Sequence, residues 1–149
     1  MSIPDSRETP AHGARGRAVS EIRREHEVLR AHLDEIQALL TALERGDHAA
    51  VGPLRQRALA CYERLRDHID REEHLLAPLL QARGDDGARQ AELLEREHEE
   101  QRELLGFLAE RLRQPRPTVL LVRELHGFLA CLRDDMAGEE ATILEAVVR

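Results

Sequence analysis

The sequence predicts an all-α fold, an up-down-up-down antiparallel four-helix bundle. Three observations predict it. Apolar residues recur at helical spacing along most of the chain, and nowhere is there the sustained alternation of a strand. Short connections rich in Gly, Asp or Pro cut that pattern into four long stretches. The chain also reads as one helical hairpin written twice. Arg24-Glu25-His26-Glu27 is matched by Arg96-Glu97-His98-Glu99. Leu65-Arg66-Asp67-His68, with Glu72-Glu73 following, is matched by Leu132-Arg133-Asp134-Asp135, with Glu139-Glu140 following.

The first helix spans Val19 to Leu43 and carries Ile22, Leu29, Leu33, Ile36 and Leu40 on one stripe. Gly46-Asp47 ends it and offers Asp47 as a cap for the next helix. The second helix runs to about Ala82 with Leu54, Ala58, Cys61, Leu65, Leu75, Leu76 and Leu79 on its stripe; Gly52-Pro53 sits near its start. Gly84-Asp85-Asp86-Gly87 reads as the central turn. The third helix carries Leu94, Leu105, Leu108 and Leu112 and stops before Pro115 and Pro117. The fourth starts near Thr118 and carries Leu121, Leu125, Phe128, Leu132, Ile143 and Ala146.

These helices make one domain over residues 19–149, long enough to bury a core. Residues 1–18 are polar and rich in Gly, Pro and Arg, and read as a disordered tail with no apolar stretch of a secretory signal. The chain has 34% charged residues and no apolar run long enough to span a bilayer, so no membrane partner is expected. The net charge of −7 argues against a nucleic-acid binder. Cys61 and Cys131 are too few for a disulfide scaffold and fit reduced thiols in a cytoplasm.

The chemistry lies in the repeat. Residues four apart on a helix differ by about 40° around the axis and about 6 Å along it. His68 and Glu72 therefore project from one face, as do Asp135 and Glu139. His26 shares the stripe of Ile22 and Leu29, and His98 that of Leu94 and Leu105. All six point inward with the leucines. Asp134, about 100° around the helix from Asp135, faces away. Burying three carboxylates without cations is very costly, so the six residues are candidate ligands of a two-metal site. Carboxylates mixed with imidazoles suit iron or manganese, and zinc less specifically. If Glu72 and Glu139 each bridge, the six side chains supply about four bonds per ion. An added oxo or hydroxo bridge then leaves about one open position on each near-octahedral ion for a small ligand.

The order His, His-x-x-x-Glu, His and a second x-x-x-Glu pair resembles the hemerythrin-like, cation-binding (HHE) domain family. The phrases Asp67-His68-Ile69, Glu72-Glu73 and Leu76-Ala77-Pro78 look like that family's ligand segment. The resemblance covers about residues 19–147. It implies a four-helix bundle around a non-heme di-iron centre, and a role in oxygen binding, oxygen or iron sensing, or the handling of peroxide or nitric oxide. Position by position it implies His26, His68, Glu72, His98 and Glu139 as ligands. Two positions depart from the family: Asp135 stands where it usually has His, and Arg102 where oxygen carriers have a second His. Both departures weigh against reversible oxygen carriage.

Of the remaining histidines, His12 falls in the tail and His48 at a turn, while His32, His74 and His126 are expected on the surface. Glu73 and Glu140 flank the ligand stripe and are expected as supporting or surface residues. Gln101 replaces Leu29 of the first copy beside His98. Cys61 is expected in the core, and Tyr62 falls off its stripe. Three functions fit these features: a di-iron protein that binds or senses O₂, peroxide, nitric oxide or iron itself, with a protein partner if it is a sensor; a di-iron oxidase or peroxide-scavenging enzyme; and a metal-free helical interaction module.

Overall fold

The computed structural model describes residues 10–149. Four long helices, α1 (Pro10–Glu44), α2 (Val51–Gln81), α3 (Asp85–Arg113) and α4 (Thr118–Ala141), are followed by a short α5 (Ile143–Val148); a 3-10 turn, His48–Ala50, precedes α2. No strand occurs among the described residues. Cross-helix ion pairs fix the directions. Glu25 and Glu35 of α1 meet His68 and Arg57 of α2, Asp70 of α2 meets Arg102 of α3, and α1 meets the last helices through Arg23–Glu145, Arg30–Glu140 and Asp34–Arg133. Rising numbers on one helix meet falling numbers on the next, which is the antiparallel up-down-up-down bundle.

Helix boundaries follow the chemistry of the turns. Asp47 accepts a hydrogen bond from the Ala49 amide at 3.2 Å and caps the 3-10 turn. Pro53 lies in the first turn of α2, where its missing N–H breaks no helical bond. Gly84 takes φ 92°, a left-handed conformation that glycine adopts without Cβ strain. The expected four-residue central turn is shorter than the sequence suggests, because Asp85 already opens α3 and Asp86 and Gly87 lie inside it. Two acidic residues in that first turn favour the helix through its dipole. Gly87 has no room for a side chain: a Cβ there would lie 1.9 Å from the Leu80 carbonyl oxygen. α1 begins at Pro10, nine residues before the sequence boundary, and buries Ala18 and Val19. The tail reading of residues 1–9 lies outside the described residues.

The core has two parts separated by a polar layer. One part gathers Leu29, Leu33, Ile36, Leu54, Ile69, Leu105, Leu125, Phe128 and Met136. The other gathers Ile22, Leu76, Leu80, Ala91, Leu94, Leu144 and Val147. The break between the two falls at a His or Glu of the repeat: His26 on α1, Glu72 on α2, His98 on α3, and Glu139 where α4 gives way to α5. Each fully buried leucine or isoleucine contributes about 1.5–3 kcal/mol, and this apolar packing on both sides holds the polar layer in register.

Three details differ from the sequence pattern. Tyr62 is buried, with its ring 4.4 Å from that of Phe128 at 80°, because the wide α2 interface takes in residues beside the main stripe. Leu144 and Val147 are buried, while Ile143 and Ala146 are half-buried. The helix breaks at Thr142, whose hydroxyl donates to the Gly138 carbonyl at 2.7 Å, and the break shifts the apolar phase of α5. The third is the α3–α4 seam. α3 lies chiefly on α2, and α4 on α1 and α5. Between α3 and α4 runs an open groove of about 660 Å³.

Candidate metal centre

His26, His68 and Glu72 are buried, and Glu139 is half-buried beside them. One ligand-type atom from each of the four lies within 4.8 Å of all the others. The Oε2 atom of Glu72 is 2.9 Å from Nε2 of His68 and 3.6 Å from Nε2 of His26. Its other oxygen, Oε1, is 3.3 Å from Nε2 of His98. Glu139 repeats the arrangement, with Oε2 3.4 Å from His26 and Oε1 3.9 Å from His98. Both glutamates thus place one oxygen toward the His26 half of the layer and one toward the His98 half.

The opposite nitrogen of each imidazole is tied down. Nδ1 of His26 donates to Glu140 at 3.0 Å, Nδ1 of His68 to Glu25 at 2.7 Å, and Nδ1 of His98 to Glu73 at 3.0 Å. Each of these carboxylates is held in turn by an arginine. Arg30 makes a two-pronged pair with Glu140 at 2.9 and 3.0 Å, Arg71 meets Glu25 at 2.9 Å, and Arg102 meets Glu73 at 2.9 Å. Such Glu–His contacts fix the ring tautomer and raise the basicity of the free nitrogen. All three rings therefore present Nε2 to the glutamates.

The charge balance follows from the same contacts. Burial opposes the charged form of His26, but Glu139, Glu72 and Glu140 outweigh it and its pKa is pushed up to about 10. Burial opposes the charged form of His98 too, and Glu139 and Glu72 push it up to about 10. His68 is raised against its burial by Glu72 and Glu25. Burial alone would raise Glu72, yet three facing imidazoles hold it well below the usual carboxylate range. Without a metal, the layer thus balances its glutamates with protons on histidines.

That balance leaves polar atoms without hydrogen bonds. Nε2 of His26 and both side-chain oxygens of Glu72 are buried with no hydrogen-bond partner. Orphaned buried groups of this kind are costly, and most buried polar atoms are satisfied. A cation satisfies all of them at once. Imidazole nitrogens mixed with carboxylate oxygens form a donor set for a hard or borderline metal ion, so the residues fit a metal.

A family model, the hemerythrin HHE cation-binding domain, matches residues 17–147. The chain belongs to that family. No curated protein and no solved structure gave a match.

In this hemerythrin HHE domain the fourth corner differs from the other three. Asp135 lies outside the four-residue cluster, exposed on the wall of the α3–α4 groove, and its Oδ2 accepts from Nε2 of Gln101 at 3.1 Å. Burial and the nearby Glu139 raise its pKa above the ordinary aspartate value. Asp134 also borders the groove, which is wide enough to take in adjacent α4 side chains. Arg102, the other departure from the family pattern, is engaged with Glu73 and with Asp70 at 2.8 Å.

Sequence reasoning passed over Glu25, Arg30 and Arg71. A signal was there for two of them: Glu25 precedes His26 in the repeated tetrapeptide, and Arg30 follows His26 by four residues as Arg102 follows His98. His74 is exposed, and His126 bonds Glu44 at 2.6 Å on the surface; His32 is half-buried. Cys61 is buried in the core and Cys131 is exposed, both free thiols. Burial pushes the Cys61 thiol up to about 12, as expected of an inert core cysteine. No described helix is long and apolar enough to cross a membrane.

Proposed function

We propose that this chain is a non-heme di-iron protein that binds or senses a small ligand, O₂, peroxide or nitric oxide. The observation that carries the reading is the split of Glu72, one oxygen toward His68 and His26 and the other toward His98. A carboxylate so placed suits bridging. His26, His68, Glu72 and Glu139 would hold one ion; His98, Glu72 and Glu139, with Asp135, would hold the other. Iron, when bound, supplies redox change and an open coordination position for the small ligand. The chain's own part is to aim each Nε2 at the shared glutamates, where an ion would take the place of the proton it carries, to exclude water by apolar packing on two sides, and to leave the α3–α4 side open for entry.

An enzyme reading, oxidase or peroxide scavenger, draws on one feature. The groove of about 660 Å³ is larger than a diatomic ligand needs and lies within the usual range of substrate pockets. Catalytic loss of added peroxide by the iron-loaded protein would favour it.

The direct test is metal content. The full chain, loaded anaerobically with ferrous iron and desalted, should retain about two ions, as expected for a carboxylate-bridged bundle site. Retention near zero would overturn the reading and leave a metal-free interaction module.

A further inference from the structure

The two halves of the polar layer are not equivalent, and the difference has a structural cause. Aligning the repeat places His68 against Asp135, Arg71 against Gly138, and Glu25 against Glu97. At the first hairpin these positions form a closed chain of contacts: Glu25 bonds His68 and is held by Arg71. At the second, two of the three residues are changed and the chain of contacts is broken. Asp135 replaces the imidazole, Gly138 removes the arginine, and Glu97 faces the groove as a further carboxylate. The groove runs where the missing contacts would have closed the α3–α4 seam. Its wall includes Glu139, which reaches the buried cluster on one side and bounds the groove on the other.

We infer that the chain holds its two metal ions unequally: the position at His26 and His68 retains its ion, and the position at His98 exchanges a divalent cation with solvent through the α3–α4 groove. This inference rests on the metal-binding reading above. Three observations carry it. The retained side has two imidazoles, each braced by a Glu–Arg pair, and four ligand atoms already gathered within 4.8 Å. The exchanging side has one imidazole, with Asp135 held off by Gln101 on the groove wall. Glu72, fully buried and with neither oxygen in a hydrogen bond, faces His98 as well as His68, so the second position has a buried anchor and not merely surface acids. Glu97, Glu100, Asp134 and Asp135 line the path and attract cations to it. The number of ions bound would then follow the availability of the free metal, which suits a responder to metal supply.

The test is release kinetics on the intact chain. Ferrous-loaded protein is mixed anaerobically with excess of a chelator that colours on binding ferrous iron. Two phases of equal size are expected, the fast one at least about tenfold faster, in line with the loss of a bracing contact. Asp135→Ala should lower retained iron from about two to about one, with the remaining ion leaving at the slow wild-type rate. Asp135→His combined with Gly138→Arg, which rebuilds the missing links beside Glu97, should slow the fast phase. Asp135→Asn serves if the alanine variant melts abnormally. Release of both ions at one rate, a single ion at saturation, or two ions retained by Asp135→Ala would each overturn the inference while leaving metal binding intact. No iron bound at all would instead refute the function proposed above.

Discussion

Glu140 accepts a hydrogen bond from Nδ1 of His26 at 3.0 Å, and that contact decides which ring nitrogen faces the buried glutamates. Glu140 is itself held by Arg30, which lowers its pKa, with His26 adding to the effect against partial burial. Removing the brace should release the ring without emptying the core. Glu140→Ala is expected to weaken iron affinity by about 10–100-fold, the usual cost of losing an outer partner of a metal-bound histidine. Competition with a chelator of known affinity checks it, and Glu25→Ala and Glu73→Ala should behave alike. Unchanged affinity in all three would show that the braces do not orient ligands.

The metal-free protein should lose stability as the solution turns alkaline. His26 and His98 are raised from 6.5 to about 10 in the folded chain. A raised pKa means that the contribution is fully present below about 6.5 and is lost as pH climbs to about 10. Glu72 is lowered, so its contribution is present above its ordinary value of 4.5 and is lost as acid protonates it. Metal-free melting temperature should therefore fall between about pH 6.5 and 10. Melts across that range check it; a flat profile would mean that the imidazoles are neutral in the fold.

Metal must displace those protons. Binding at pH 8 should release about two protons per chain, because ligands bind in deprotonated form. Calorimetric titration in two buffers of different ionisation enthalpy measures this. Because metal binds the folded state, it should also raise the melting temperature, by an amount equivalent to about 2.7 kcal/mol at a hundredfold excess over the dissociation constant. A chelator-treated sample, confirmed metal-free, that melted like the loaded one would count against a core site.

Gly87 is expected to tolerate no side chain. A Cβ there would sit 1.9 Å from the Leu80 carbonyl oxygen and 2.8 Å from the Arg83 Cβ, and the Leu80 backbone cannot swing aside as the end of a flexible side chain could. Gly87→Ala should destabilise by about 1–3 kcal/mol or more, the range for overpacking. Urea unfolding checks it, with Gly106→Ala, where nothing lies within 4 Å, as the comparison.

Exposure of the iron-loaded chain to air should oxidise it without reversible oxygenation. An aspartate at the fourth corner offers more negative charge than an imidazole and favours the ferric state. Visible bands should shift once and stay shifted when oxygen is removed. With no tryptophan and one tyrosine in the chain, the near-ultraviolet bands report the metal centre with little aromatic background as well. Repeated cycling with oxygen pressure would overturn this expectation.

Helical spacing determined a great deal by itself. It placed His26 with Ile22 and Leu29, His98 with Leu94 and Leu105, and Glu72 one turn from His68; all of these are buried. The duplicated tetrapeptides announced two hairpins and hence the bundle. This worked because periodicity states which way a side chain points around its own axis, and burial of the apolar stripe then carries the polar residues on it inward. What it could not state is how one axis lies against another. That Glu25 reaches His68, 43 residues away, depends on the relative rotation and height of α1 and α2. That Asp135 stands in a groove wall beside Gln101, in perfect register with His68 by sequence, depends on α3 and α4 standing apart. The buried place of Tyr62 beside Phe128, and the phase of α5 after Thr142, belong to the same class. Each is set by the distance between helices, which is a property of the packed core as a whole and is written in no single stripe.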